Sequence, residues 1–93
     1  PHGSGGLAAG VLDGVIYAFG GEWFSDGGGV YTQVWAYDAR TDSWTDAAAM
    51  PTPRHGLGAV TAPFQGRPAI YTIGGAAARG GNATSAVVEV FLG

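Results

Sequence analysis

A short phrase that occurs twice at a fixed separation constrains this chain more than anything else in it. Ile16-Tyr17-Ala18-Phe19-Gly20-Gly21 returns as Ile70-Tyr71-Thr72-Ile73-Gly74-Gly75, and Val34-Trp35-Ala36-Tyr37 returns as Val88-Glu89-Val90-Phe91. The period is 54 residues, measured from Gly20 to Gly74 and from Tyr37 to Phe91. With Arg67-Pro68 treated as an insertion, Leu12-Asp13-Gly14 falls on Phe64-Gln65-Gly66 as well. Self-similarity at such a period means one supersecondary unit stacked on a copy of itself, because so small a unit cannot bury its apolar faces alone.

Each period divides into short apolar runs separated by turn residues, the pattern of an antiparallel meander. Leu7–Leu12 and Val15–Phe19 flank Asp13-Gly14, a two-residue hairpin of the type I′ kind. A Gly-rich excursion over Gly20–Tyr31 precedes a strand near Thr32–Tyr37, and Asp38–Asp42 turns the chain into a fourth strand starting at Ser43. The second unit supplies strands near Leu57–Thr61, Ala69–Ile73 and Ala86–Phe91. Pro51 and Pro53 stop the longest helical candidate, Thr45–Met50. The expected division is residues 1–50 as a four-stranded unit and 51–93 as a three-stranded one.

The rest of the composition narrows the class. Hydrophobic residues at 46% allow a buried core, while the 18 glycines and 5 prolines fall between apolar runs, as turns do in an all-β chain. Charged residues are only 12%, which suits a piece packed against neighbours on both sides. A net charge of −3, with only four scattered arginines and no lysine, argues against nucleic acid as a partner. The same bias towards Ala, Gly and Arg hints at a GC-rich bacterial gene. With no cysteine there is neither a disulfide nor a thiolate metal site, and no apolar run reaches membrane-spanning length. No signal peptide is visible, so the compartment is unread. The chain starts at Pro1 rather than Met, which reads as processed, engineered or excerpted, and Pro1–Gly6 resembles a cloning remnant.

The two double glycines, the spacing from Tyr37-Asp38 to Trp44, and the junction Met50-Pro51-Thr52-Pro53-Arg54-His55-Gly56 together resemble the kelch family. The resemblance implies an all-β fold: four-stranded antiparallel blades arranged radially in a β-propeller, the second blade here lacking its outer strand. It also implies a closure in which the missing strand comes from the other end of a longer parent. Trp44 and Tyr37 are large enough to fill the space between adjacent blades.

In an up-down meander, the loop after the second strand and the connection after the fourth share one rim. That rim gathers Glu22–Tyr31, Pro51–His55 and Ala76–Ser85, and the resemblance places partner or ligand binding there. Its candidates are Glu22, Trp23, Phe24, Asp26, Tyr31, Arg54, His55, Arg79 and Asn82. Trp23, Phe24 and Tyr31 are aromatic anchors of the hot-spot type, or rings folded back over the blade. Arg54 either pairs with a ligand carboxylate or bridges to a neighbouring carboxylate or loop carbonyl. His55 has no visible metal or nucleophile partner, since His2 lies in the terminal segment. Glu22 and Asp26 form a carboxylate pair on one loop, and the three glycines after Asp26 favour a flexible loop over a preorganised site.

Three functions follow. The leading one is a non-catalytic binding or scaffold module that meets a protein, carbohydrate or other small ligand through the loops of one rim. The second is part of a propeller enzyme acting on sugars, of the sialic-acid epimerase or galactose-oxidase type. No catalytic set and no cofactor can be read from these residues, and the copper version lacks its cysteine. The third is a propeller fragment whose partners are the remaining blades or further copies of itself.

Overall fold

The computed structural model describes residues 1–81 and 83–93, so Asn82 lies outside the described residues. The strands in chain order are β1 (Ala8–Leu12), β2 (Val15–Phe19), β3 (Glu22–Trp23), β4 (Gly29–Val30), β5 (Val34–Asp38), β6 (Ser43–Ala47), β7 (Gly58–Thr61), β8 (Ile70–Ile73) and β9 (Val88–Phe91). They form a four-stranded antiparallel sheet in the order β1-β2-β5-β6 and a three-stranded one in the order β7-β8-β9. The fold is all-β and antiparallel, and its four-stranded sheet is blade-like.

The hairpins form where the turn chemistry asks for them. Asp13 and Gly14 take φ of 49° and 77°, and Gln65 and Gly66 repeat this at 49° and 76°. Two consecutive left-handed residues give the twist a tight hairpin needs. The two-residue insertion lengthens the second hairpin: Phe64 and Arg67 exchange backbone hydrogen bonds at 2.8 and 3.0 Å, well beyond the end of β7.

Register decides which residues meet. In the first sheet Ala8 pairs with Phe19, Gly10 with Tyr17, and Phe19 with Val34, so these lie on one face with Leu12. In the second, Ala59 pairs with Thr72 and Ile70 with Phe91 on one face. These two faces pack together. Phe91 tilts against Tyr17 and meets Phe19 edge-on, with ring centroids 4.8 and 5.2 Å apart. Ile70 fills the space over Gly10, where a Cβ would come within 3.0 Å of it. The core of Ala8, Leu12, Phe19, Val34, Met50, Leu57 and Ile70 spans both sheets and the connection between them. Phe19 and Ile70 have no exposed surface, and such burial contributes roughly 1.5–3 kcal/mol each.

Tyr37 and Trp44 pair with each other, ring centroids 4.9 Å apart, on the face turned away from the second sheet. Strand alternation dictates this, because both sit one residue out of phase with Ala36 and Thr45. The Gly-rich excursion is an ordered hairpin: β3 pairs with β4 across a 3₁₀ turn at Ser25–Gly27. Gly29 serves packing, since the Trp23 ring lies over it, leaving no room for a Cβ.

Ser4–Gly6 is an integral part of the fold. Gly5 exchanges backbone hydrogen bonds with Glu22 at 3.0 and 2.8 Å, and the carbonyl of Gly6 accepts from Gly56 N–H at 2.7 Å.

Candidate functional site at the loop rim

The double glycines shape the rim. Gly20 and Gly21 both take positive φ, at 62° and 97°, and Gly21 N–H donates to the carbonyl of Arg54 at 2.9 Å. A Cβ at Gly20 would collide with that carbonyl and with Met50. The connection from the first sheet to the second therefore lies directly on the end of β2, which brings Arg54 and His55 beside Glu22.

Glu22 and His55 join loops from both sheets. His55 Nδ1 lies 2.9 Å from Glu22 Oε2, and His55 Nε2 lies 2.8 Å from the carbonyl oxygen of Ala78. Glu22 Oε1 accepts from Gly80 N–H at 2.9 Å. The carboxylate and the carbonyl are both acceptors, so a ring nitrogen that carries a proton donates to whichever of them it faces. One carboxylate and one imidazole thus fasten the Ala76–Ser85 loop to the β3–β4 hairpin. A second contact runs parallel: the Arg79 guanidinium sits 5.9 Å from the centre of the Phe24 ring, and its stem packs on Gly28.

The aromatic candidates divide. Trp23 is half-buried and tilts against Tyr31, ring centroids 4.5 Å apart, while Tyr31 also stacks on His2 at 4.0 Å. Phe24 stays out in solvent, with 61% of its surface exposed. Asp26 occupies the hairpin tip at φ 50°, and the carboxylate pair imagined for it is broken by Glu22 turning to His55 and Gly80. Beside the fastened loop lies an open recess of about 430 Å³ lined by His55, Gly56, Gly75, Ala76, Thr84 and Ser85, among others.

Arg54 is not presented to a ligand. Its side chain is fully buried, and Nη1 donates to the carbonyls of Gly74 and Val87 at 3.1 and 3.3 Å. Nη2 donates to Thr72 Oγ1 at 2.7 Å and to Glu89 Oε1 at 2.8 Å. Thr52 Oγ1 completes the cluster by donating to Glu89 Oε2 at 2.7 Å. This is the bridging alternative for Arg54, and it follows from the single charge carried inward by β9. Sequence reasoning passed over Thr52, Thr72 and Glu89. The signal was a glutamate alternating in phase with Phe91, on the buried face of an otherwise apolar strand. Among the described residues no group of three or more His, Asp or Glu side chains is placed to hold a metal ion.

The comparisons with known proteins converge. The kelch motif matches residues 4–51. A protein of Aspergillus terreus described as "Kelch-like protein terF" is 39% identical over 61 residues, which cover 64% of this chain and 13% of that protein. The solved structure of YjhT superposes with a TM-score of 0.62 at 25% identity, covering 77% of this chain and 21% of that one. The chain therefore spans only a small part of the proteins it matches. Both its repeat and its fold have counterparts in them, and the chain belongs to the kelch-repeat family.

Proposed function

We propose that this kelch segment is a protein-binding module that meets its partner through the rim formed by the β3–β4 hairpin and the Ala76–Ser85 loop. The observation that carries the reading is the pairing of Arg79 with the exposed Phe24 on two loops that Glu22 and His55 have already fastened together. An aromatic ring and an arginine, held in place before any partner arrives, lose little entropy on binding. Glu22 and His55 spend their polar atoms on each other and on the loop, so they position the surface. Phe24 and Arg79 are its contact residues, with Trp23 and Tyr31 as support.

The test is selection of a random peptide library displayed on phage against the folded chain. Enriched peptides are expected to lose binding to Phe24→Ser and to Arg79→Ala, and to keep it on Arg67→Ala, which lies at the opposite end of the strands. Peptides that bind all three variants as well as the parent chain would overturn the reading.

A further inference from the structure

Each sheet has one buried and one open face, and the 54-residue repeat relates them crosswise. Phe19, with no exposed surface on the buried face of the first sheet, corresponds to Ile73, which is 45% exposed on the open face of the second. Val34 at 1% corresponds to Val88 at 57%. In the other direction, Ile70 on the buried face of the second sheet shows 0%, and its counterpart Ile16 on the open face of the first shows 39%. The strand pairings carry the same equivalence, since Phe19 pairs with Ala8 and Val34 as Ile73 pairs with Gly58 and Val88.

The open face of the second sheet is thus built like the surface with which the first sheet receives its neighbour. The open face of the first sheet is built like the surface that docks there. Both are apolar: Val60, Tyr71, Ile73, Val88 and Val90 on one, Val11, Ile16, Trp35 and Trp44 on the other. Large contiguous apolar patches mark interaction surfaces.

We propose that a second copy of this chain docks head to tail, the open face of its first sheet on the open face of the second sheet of the copy before it. The occupant follows from continuity with the interface already inside the molecule, because such a contact repeats the packing of the second sheet on the first. It is heterologous, so each copy offers two different surfaces and the assembly either closes into a ring or extends. The rim is not part of it.

Sedimentation velocity over a concentration series decides the matter. The parent chain is expected to associate. Val11→Glu with Ile16→Glu spoils only the face of the first sheet, and Val60→Glu with Val88→Glu only that of the second. Each double variant alone should be monomeric, and an equimolar mixture should give a one-to-one complex, since each brings one intact face.

Circular dichroism checks the strand content, and the corresponding threonine substitutions replace any glutamate pair that unfolds. A parent chain monomeric at every concentration would overturn the proposal, as the faces would then await some other cover. So would association by either double variant alone, which means like faces meet, or a mixture that stays monomeric. Phe24→Ser should leave association unchanged, which separates this proposal from the rim reading.

Discussion

In the first sheet the carbonyl of Gly20 accepts a hydrogen bond from Ser4 Oγ at 2.9 Å, and in the second the carbonyl of Gly74 accepts one from Arg54 Nη1 at 3.1 Å. The frames around them share two backbone hydrogen bonds. Gly20 N–H donates to Gln33 as Gly74 N–H donates to Val87, and Tyr31 N–H donates to Gly21 as Ser85 N–H donates to Gly75. The difference lies in what surrounds the donor. Beside Arg54 stand Thr72 and Glu89, both within hydrogen-bond reach. The corresponding positions of the first sheet are Ala18 and Trp35, which with Ser4 help line an apolar recess of about 80 Å³. The buried face carries a polar cluster and its open counterpart carries none; among the described residues Arg54 Nε in the cluster and Trp35 Nε1 opposite are both buried without a partner. The repeat therefore conserves the backbone scheme and leaves the side chains free to follow the burial of each face.

The largest expected effect breaks this comparison at its strongest point. Replacing Arg54 by Met keeps much of the volume but strips Glu89 of its cation and two carbonyls of their donor, and breaking such a buried pair costs about 3–5 kcal/mol. Ser4→Ala removes one neutral hydrogen bond and should cost only about 1 kcal/mol. Urea unfolding of the two variants measures the gap. Arg54→Met combined with Glu89→Leu is expected to recover much of the loss, because an apolar pair leaves no charge stranded. Equal costs for Arg54→Met and Ser4→Ala would mean the cluster adds nothing beyond one hydrogen bond.

How far the sequence carries this picture can be traced through the same residues. The double glycines and the Asp-Gly and Gln-Gly turns punctuate the chain locally, so the strands and the meander could be read from the 54-residue period. The rim could be read too, because alternating strand direction alone assigns each loop to an end. What stayed hidden depends on register and on contacts between distant residues. Whether Arg54 faces a ligand or Glu89 depends on which face of β9 is buried, and period-2 alternation cannot say which of two apolar faces meets the neighbouring sheet. Glu22 and His55 were both candidates, but 33 positions of chain separate them, and only the collision-free approach of the Arg54 carbonyl to Gly20 brings them together.

A smaller effect separates the two matched hairpins. Asp13 and Gln65 hold the same left-handed conformation, at φ 49° each, but aspartate tolerates it and glutamine has no short side chain to bond its own backbone there. Gln65→Asn should stabilise the chain by about 0.5 kcal/mol, and Asp13→Gln should destabilise it by a similar amount. Both side chains are exposed, so little else changes. Shifts in urea midpoint of opposite sign would confirm that the repeat places the same backbone demand on unequal residues. A Gln65→Asn variant no more stable than the parent would show that the second hairpin, lengthened by Arg67-Pro68, bears the strain differently.

The smallest effect sets the exposed ion pair of the first sheet against the buried one of the second. Arg40 grips Asp38 through Nε at 3.2 Å and Nη2 at 3.1 Å, and its backbone N–H reaches the same carboxylate at 2.9 Å. The side-chain hydrogen bond, followed by the backbone one, holds the Asp38 carboxyl below its ordinary value. A carboxyl lowered on folding stabilises the native state above its unfolded value, and that stabilisation fades as pH falls through the folded one. Across the same turn, the hydrogen bond from Tyr37 Oη to Asp42 Oδ1 at 2.8 Å is the main reason the phenol is held above its ordinary value. Its contribution is complete below the unfolded value and is lost as pH rises through the folded one.

The Arg40 side chain is 73% exposed, so salt screens its pair and little stability is at stake. Arg40→Gln should raise the Asp38 midpoint in a carbon-13 titration yet leave the thermal midpoint nearly unmoved at neutral pH. The backbone bond should keep part of the depression. A thermal loss as large as that of Arg54→Met would erase the distinction between the two pairs, and with it the view that burial alone makes the second one matter.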